Sequence, residues 1–324
     1  MTRITGYGIG NGKINVIRNG KGNGNERENV NKNKNEYESE NENENVIRNE
    51  SKALQLPAAD GHIVRQTLRS SLVCGIEAYD VAYRSQGLVV HGCLVVPKTL
   101  QPAPGLLYCR GGIGKVGLVG PERLGQFAKL GYVVFAPYYR GTNGAEGRDG
   151  FGGDDIYDVI NALRLLQSIP QTNDQPIALF GFSRGAIMAL AAARQYPQAG
   201  PVIIWGGVSD LRLTYEERVD LRRMLRRVVG HPHKNRRAYE QRSPACWVKE
   251  ITAPVLIIHG TCDQQVGAEH ASRLAYALSK ALLPFELHWF AGEGHRFAPE
   301  ADFSALRLVD QWIQKFQIEK KWQV

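Results

Sequence analysis

Long apolar runs are scarce in this chain of 324 residues. Its opening, "MTRITGYGIGNGKINVIRNG", holds no apolar block of about seven residues, the minimum for a secretory signal, and no later stretch approaches the ~20 residues that span a bilayer. The expectation is a cytoplasmic protein without a membrane partner. Cysteine is sparse as well. Cys74, Cys93, Cys109, Cys246 and Cys262 are odd in number and scattered, with no C-x-x-C or paired Cys/His spacing, which predicts reduced thiols and no metal. The glycine-rich "YCRGGIGKVG" lacks the Lys-Ser/Thr that a phosphate-cradling loop requires.

Charge of one sign is also missing where the total suggests it. The formal net charge is +8, yet residues 1–50 carry eight basic and eight acidic side chains, which cancel. The excess sits in residues 211–237, "LRLTYEERVDLRRMLRRVVGHPHKNRR", where nine basic residues face three acidic ones. Tyr215 is the lone Phe, Tyr or Trp there, and no aromatic residues alternate with the basic ones as stacking platforms for bases, so nucleic acid is not the expected partner.

What the first fifty residues do contain is thirteen asparagines and a repeated "NVIRN", at 15–19 and 45–49. Such a composition buries too little apolar surface to offset chain entropy, and residues 1–55 read as a low-complexity, disordered tail. From residue 56 to 324 short apolar runs alternate with helical periodicity, the mark of strand-helix-strand units and a mostly parallel sheet covered on both faces. "SLVCGIEAYDVAYRS" and "GLVVHGCLVVP", meeting at Gln86, read as an antiparallel hairpin. "PGLLYCRGG", "YVVFAPYYRG", "PIALFGFS", "PVIIWGG", "PVLIIHG" and "FELHWFAGEG" follow as strands. Between and after them, "PERLGQFAKLG", "DIYDVINALRLLQSI", "SRGAIMALAAARQY", "GAEHASRLAYALSKAL" and "DFSALRLVDQWIQKFQ" read as helices. A basic helical insertion over about 209–247 breaks the alternation and reads as a small cap over the sheet's edge.

Within "IALFGFSRGAIMALAAARQYP", Gly181-Phe182-Ser183-Arg184-Gly185 falls where a strand gives way to a helix. Glycines flanking a serine there let the backbone turn sharply, and the helix N-terminus favours developing negative charge. Ser183 is therefore the candidate nucleophile. A serine hydroxyl needs a base and a group to orient that base. Asp263, past "PVLIIHG", and His295, past "FELHWF", both lie beyond the carboxyl ends of strands and complete the order Ser, Asp, His. Asp210, closing "WGGVSD", is the rival acid. His259 reads as a turn residue, His288 as part of a strand, His270 as part of a helix, and His231 and His233 belong to the insertion. For the oxyanion, the candidates are the amide of Arg184 and the loop holding Arg110, Gly111 and Gly112, with the Arg110 side chain as an added charged donor. In the insertion, Arg222, Arg223, Arg226 and Arg227 share helix faces while Leu221, Leu225 and Val228 turn inward, and Arg222 or Arg226 could meet a substrate carboxylate.

Taken in order, "YYRGTNGAEGRDGFGGDDIYDV", "GFSRG", "RSPACWVKEITAPVLIIHGTCDQQV" and "GEGHRF" resemble the catalytic domain of the prolyl oligopeptidase family, over roughly residues 72–318. The resemblance implies an α/β-hydrolase fold, a Ser183-Asp263-His295 triad, cleavage of a peptide or ester bond through an acyl-enzyme, and no cofactor. Two positions depart from it. Arg110 stands where relatives usually have Tyr or His, and Ile113 replaces the usual proline. The sequence ahead of the domain fits no β-propeller, so the chain is similar to stand-alone members, among which oligopeptidases and small-ester hydrolases of the dienelactone-hydrolase-like kind both occur. A non-catalytic scaffold binding an anion or nucleic acid is the remote alternative.

Overall fold

The computed structural model describes residues 59–69, 75–99 and 101–320. The asparagine-rich tail and Cys74 lie outside the described residues. Strand β1 (Ile63–Leu68) precedes the hairpin of β2 (Ile76–Ser85) and β3 (Leu88–Pro97). Gln86 and Gly87 turn that hairpin with φ of 50° and 78°, the paired left-handed conformations of a two-residue turn. The chain continues through β4 (Gly105–Cys109), α1 (Pro121–Lys129), β5 (Val133–Pro137), α2 (Ile156–Ser168), β6 (Ala178–Phe182), α3 (Gly185–Gln195) and β7 (Val202–Trp205). Four short helices follow: α4 (Leu211–Glu217), α5 (Arg222–Val228), α6 (Arg236–Gln241) and α7 (Pro244–Trp247). Then come β8 (Val255–Gly260), α8 (Ala268–Lys280), β9 (Phe285–Phe290) and α9 (Pro299–Lys320).

The described strands form one nine-stranded sheet in the order β1-β2-β3-β5-β4-β6-β7-β8-β9. Pairing is antiparallel from β1 to β5 and parallel from β5 to β9. Because strand side chains alternate, Leu107 and Cys109 of β4 face α2, α3 and α8, while Leu106 and Tyr108 face α1 and α9. Both faces are thus covered, which is why the inner parallel strands read as apolar runs, while the edge strand β9, with Glu286 and His288, does not. The sequence reading missed β1. Five of its six residues are exposed, so it carries no apolar alternation to betray it. No described helix is long and apolar enough to cross a membrane.

The insertion leaves β7, an inner strand, and packs a third apolar cluster of Val208, Leu211, Tyr215, Leu225 and Tyr239 against Phe151, Ile187 and Val266. It covers the carboxyl-terminal rim of the sheet, not a lateral edge strand, for Thr214, Leu221 and Met224 line the same cavity as Ser183 at the end of β6. His270 of α8 anchors it from below, accepting the Ser209 amide at Nδ1 (3.2 Å), with burial pushing its imidazole pKa down to about 4.

Candidate active site

Ser183 sits between β6 and α3 with φ of 56°, a left-handed conformation unusual for any residue but glycine. Its surroundings enforce that strain. Its amide donates to Trp205 O (3.1 Å) and its carbonyl accepts from Val208 N (3.1 Å), so both of its peptide groups are fixed to the exit of β7. The flanking glycines have steric reasons. A Cβ at 181 would stand 2.7 Å from Gly185 O, and one at 185 would collide with the Cys109 carbonyl. Arg184, next along, has a backbone N–H with no acceptor among the described residues, at the positive end of α3.

His295 and Asp263 arrive on the loops after β9 and β8. His295 Nδ1 donates to Asp263 Oδ2 at 2.7 Å, leaving Nε2 free, and Asp263 Oδ1 accepts from Gln265 N (2.8 Å) and Val266 N (3.0 Å). Burial opposes the Asp263 charge, but the His295 bond and those amides outweigh it and hold its pKa below the ordinary carboxylate value. The carboxylate is therefore ionised at neutral pH, as an orienting partner must be. The His295 ring lies against Phe182, with centroids 4.8 Å apart. Gly206 makes room for the pair, since a Cβ there would come within 3.2 Å of His295 Nδ1 and 3.3 Å of Asp263 Oδ2. Ser183 and His295 line one cavity of about 740 Å³. Ser183 Oγ has no hydrogen-bond partner among the described residues, and catalytic hydrogen bonds of this kind commonly tighten only when substrate arrives.

The rivals are occupied elsewhere. Asp210 caps α4 through the amides of Arg212 and Leu213 and pairs with Arg273. His259, which lies in β8 and not in the turn after it, bonds Val266 O through Nε2 (2.9 Å). His288 lies in β9 beside Glu286, and His231 and His233 stack on each other in the insertion.

Gly111 and Gly112 line the cavity across from Arg184. A Cβ at 111 would stand 2.8 Å from Ser183 Cβ, too close for any real contact. Gly111→Ala should therefore cost activity far beyond stability: kcat/KM is expected to fall at least tenfold while Tm moves by only a few degrees, checked by kinetics beside thermal melts. Two expected roles need correction. The Arg110 guanidinium does not point toward the oxyanion. It is fully buried and donates to Tyr138 O, Gly111 O, Val116 O and Thr142 Oγ1, so it braces the loop's own carbonyls. Arg222 and Arg226 do not line the cavity either. Both lie over the Tyr215 ring, Arg222 bonding Tyr215 O and Arg226 bonding Tyr215 Oη, which holds α5 on α4. The insertion's arginine on the cavity wall is Arg218, fixed by Asp220 and Gln265 O.

One part of the site went unread in the sequence. The Arg184 side chain turns back beneath the elbow, pairs with Asp149 (2.7 Å) and Asp155, lies over the rings of Tyr139 and Phe151, and donates to Gly112 O (2.7 Å). A single buried guanidinium thus fastens the turn at Ser183 to the loop opposite. The available signal was "RDGFGGDD", three acids in a glycine-rich stretch with no helix face to serve.

Residues 122–318 match the family model described as "Prolyl oligopeptidase family". The chain belongs to the prolyl oligopeptidase family. It is accordingly a serine hydrolase of the peptidase kind with an α/β-hydrolase fold. It is 44% identical over 241 residues to the uncharacterized peptidase YtmA of Bacillus subtilis (strain 168), covering 74% of this chain and 94% of that one. Human dipeptidyl peptidase 8 is 29% identical over 229 residues, which are 64% of this chain but 25% of the relative. A puromycin-hydrolyzing peptidase from Mycobacterium tuberculosis superimposes with a TM-score of 0.66 at 24% identity, over 74% of this chain and 39% of that one. Against these last two, this prolyl oligopeptidase family member spans about a quarter and two-fifths of the relative's length, and its described residues hold no propeller.

Proposed function

We propose that this chain cleaves the amide bond of a short peptide through an acyl intermediate on Ser183. The observation that carries the reading is the Asp263–His295 bond in one cavity with a serine held at positive φ. Ser183 Oγ attacks the carbonyl carbon as its proton passes to His295 Nε2, and the amides of Arg184 and of the loop at Gly111 and Gly112 receive the oxyanion. Collapse breaks the C–N bond, and His295 hands that proton to the departing amine. Water then attacks the acyl-serine by the same route, regenerating the hydroxyl. Asp263 fixes the imidazole tautomer throughout. Asp263→Asn should lower kcat by about 10⁴-fold with little change in KM, read from steady-state kinetics.

Ile113, Phe151, Val208, Leu221, Met224 and Val266 outnumber the polar Thr214, Arg218 and Gln265 on the cavity wall beneath the insertion, which favours an apolar residue on the acyl side of the scissile bond. A kinetic screen of p-nitrophenyl esters against aminoacyl and prolyl amides tests the reading. Turnover of amides with apolar acyl residues supports it, and turnover of esters alone would make the enzyme a carboxylesterase. We assign it to the cytoplasm, where the four free cysteines among the described residues would stay reduced.

A further inference from the structure

On the α1/α9 side the same cavity has a part, its second lobe, whose lining differs in chemistry from the wall beneath the insertion. Its wall comes from Tyr108, Phe182, Trp205 and Phe297, with charged groups at the first turns of α1 and α9. The two lobes cannot exchange roles. His295 must deliver its proton to the leaving group, and Phe182, which packs on the imidazole, is part of the second lobe's wall. The leaving group therefore lies on the α1/α9 side and the acyl group beneath the insertion.

Four charges line this lobe: Glu122, Arg123, Arg296 and Asp302. Arg123 and Asp302 neutralise each other through two bonds of 2.9 and 2.7 Å, with the guanidinium lying over the Trp205 ring. Arg296 is different. It directly follows His295, is exposed on the cavity wall, and has no carboxylate partner among the described residues. Trp205 lines the same lobe, but its Nε1–H is shut off from the cavity. The unpaired guanidinium on the wall therefore asks for an anion. Glu122 opposes this only from the first turn of α1, whereas Arg296 is adjacent in sequence to the proton donor.

We infer that Arg296 determines leaving-group specificity by pairing with a free α-carboxylate one residue beyond the scissile bond, so that the preferred substrates are short peptides or N-acyl dipeptides whose departing product is a free, large apolar or aromatic amino acid. The inference rests on Ser183 acting as nucleophile. It adds no step to the chemistry: the C–N bond breaks, the amine takes its proton from His295, and the carboxylate leaves unchanged. The aromatic wall supplies the apolar contact for the departing side chain, and a guanidinium supplies the bidentate match for its carboxylate.

The test uses two substrates that share one N-acylated leucyl group and differ in the leaving group, phenylalanine or phenylalaninamide. Both pass through the same acyl-enzyme, so the ratio of their kcat/KM values reads acylation alone. Wild-type protein should prefer the free carboxylate by about tenfold to a hundredfold. In Arg296→Ala that ratio should fall to near one, in Arg296→Lys part of it should persist, and in wild type added salt should reduce it. A leaving group lengthened by one residue should also be poorer. A wild-type ratio of one or below overturns the inference, as does a ratio unaltered in Arg296→Ala. A merely structural role for Arg296 would slow both substrates equally and leave the ratio intact. Failure of the underlying serine mechanism looks different, because wild-type protein would then hydrolyse neither peptide nor be labelled by a fluorophosphonate.

Discussion

Ser183→Ala should abolish covalent labelling by a fluorophosphonate and lower kcat/KM by about 10⁴-fold or more, while the fold and the melting temperature stay close to wild type. The expectation follows from the division of labour at the elbow. Steric demands there fall on Gly181, Gly185 and Gly111, and the backbone bonds of residue 183 run through its peptide groups to Trp205 and Val208. The hydroxyl takes part in none of that scaffolding, and Oγ has no partner among the described residues. Removing it deletes chemistry without deleting structure. Residual labelling of the alanine variant at wild-type levels would transfer the nucleophile to another residue, and a large drop in melting temperature would mean the hydroxyl has a structural partner after all.

The neighbouring residue should behave in the opposite way. Arg184→Ala is expected to destabilise the protein by about 3–5 kcal/mol, because it leaves two interior carboxylates without the guanidinium that is bonded to both. Asp155 is fully buried, Asp149 nearly so, and the arginine's side chain is 2% exposed. Burial pushes Asp155 up, with the Asp149 charge adding to it against the pull of Arg184. Burial also opposes ionisation of Asp149, but Arg184 and the Phe151 amide draw its pKa below the ordinary value. The sign for Asp149 then follows: a depressed folded-state pKa means its contribution is present above the unfolded carboxylate value and is lost as pH falls through the folded one. Thermal melts should show a drop on the order of 10 °C for Arg184→Ala at neutral pH. Activity should fall along with stability, since the same guanidinium holds Gly112 O. Arg184→Ala combined with Asp149→Asn and Asp155→Asn should recover part of the loss, and a triple variant no better than the single one would refute the charge argument.

How much of this was legible beforehand depends on the range over which each interaction acts. The inner parallel strands were legible because each is covered on both faces and must be apolar throughout, the edge strand β9 being only partly buried, and the hairpin at Gln86 because the turn is local. Chain order sufficed to bring Ser183, Asp263 and His295 to one rim, since parallel strands deliver their carboxyl ends to the same side. The side-chain fates of arginines were not legible. Arg110, Arg184, Arg222 and Arg226 look alike in sequence, yet one braces a loop, one joins two loops beneath the elbow, and two lie over a tyrosine. Which partner a long cation finds depends on tertiary proximity, and no periodicity encodes that. β1 escaped for a different reason, as an almost wholly exposed strand has no inside to alternate with.

The bonds from Ser183 to Trp205 and Val208 have an evolutionary corollary. Any change in sequence that shifts the backbone at the exit of β7 also shifts the torsion of residue 183, because both of that residue's peptide groups are bonded there. Substitutions that leave this junction in place should therefore be tolerated better than substitutions within it.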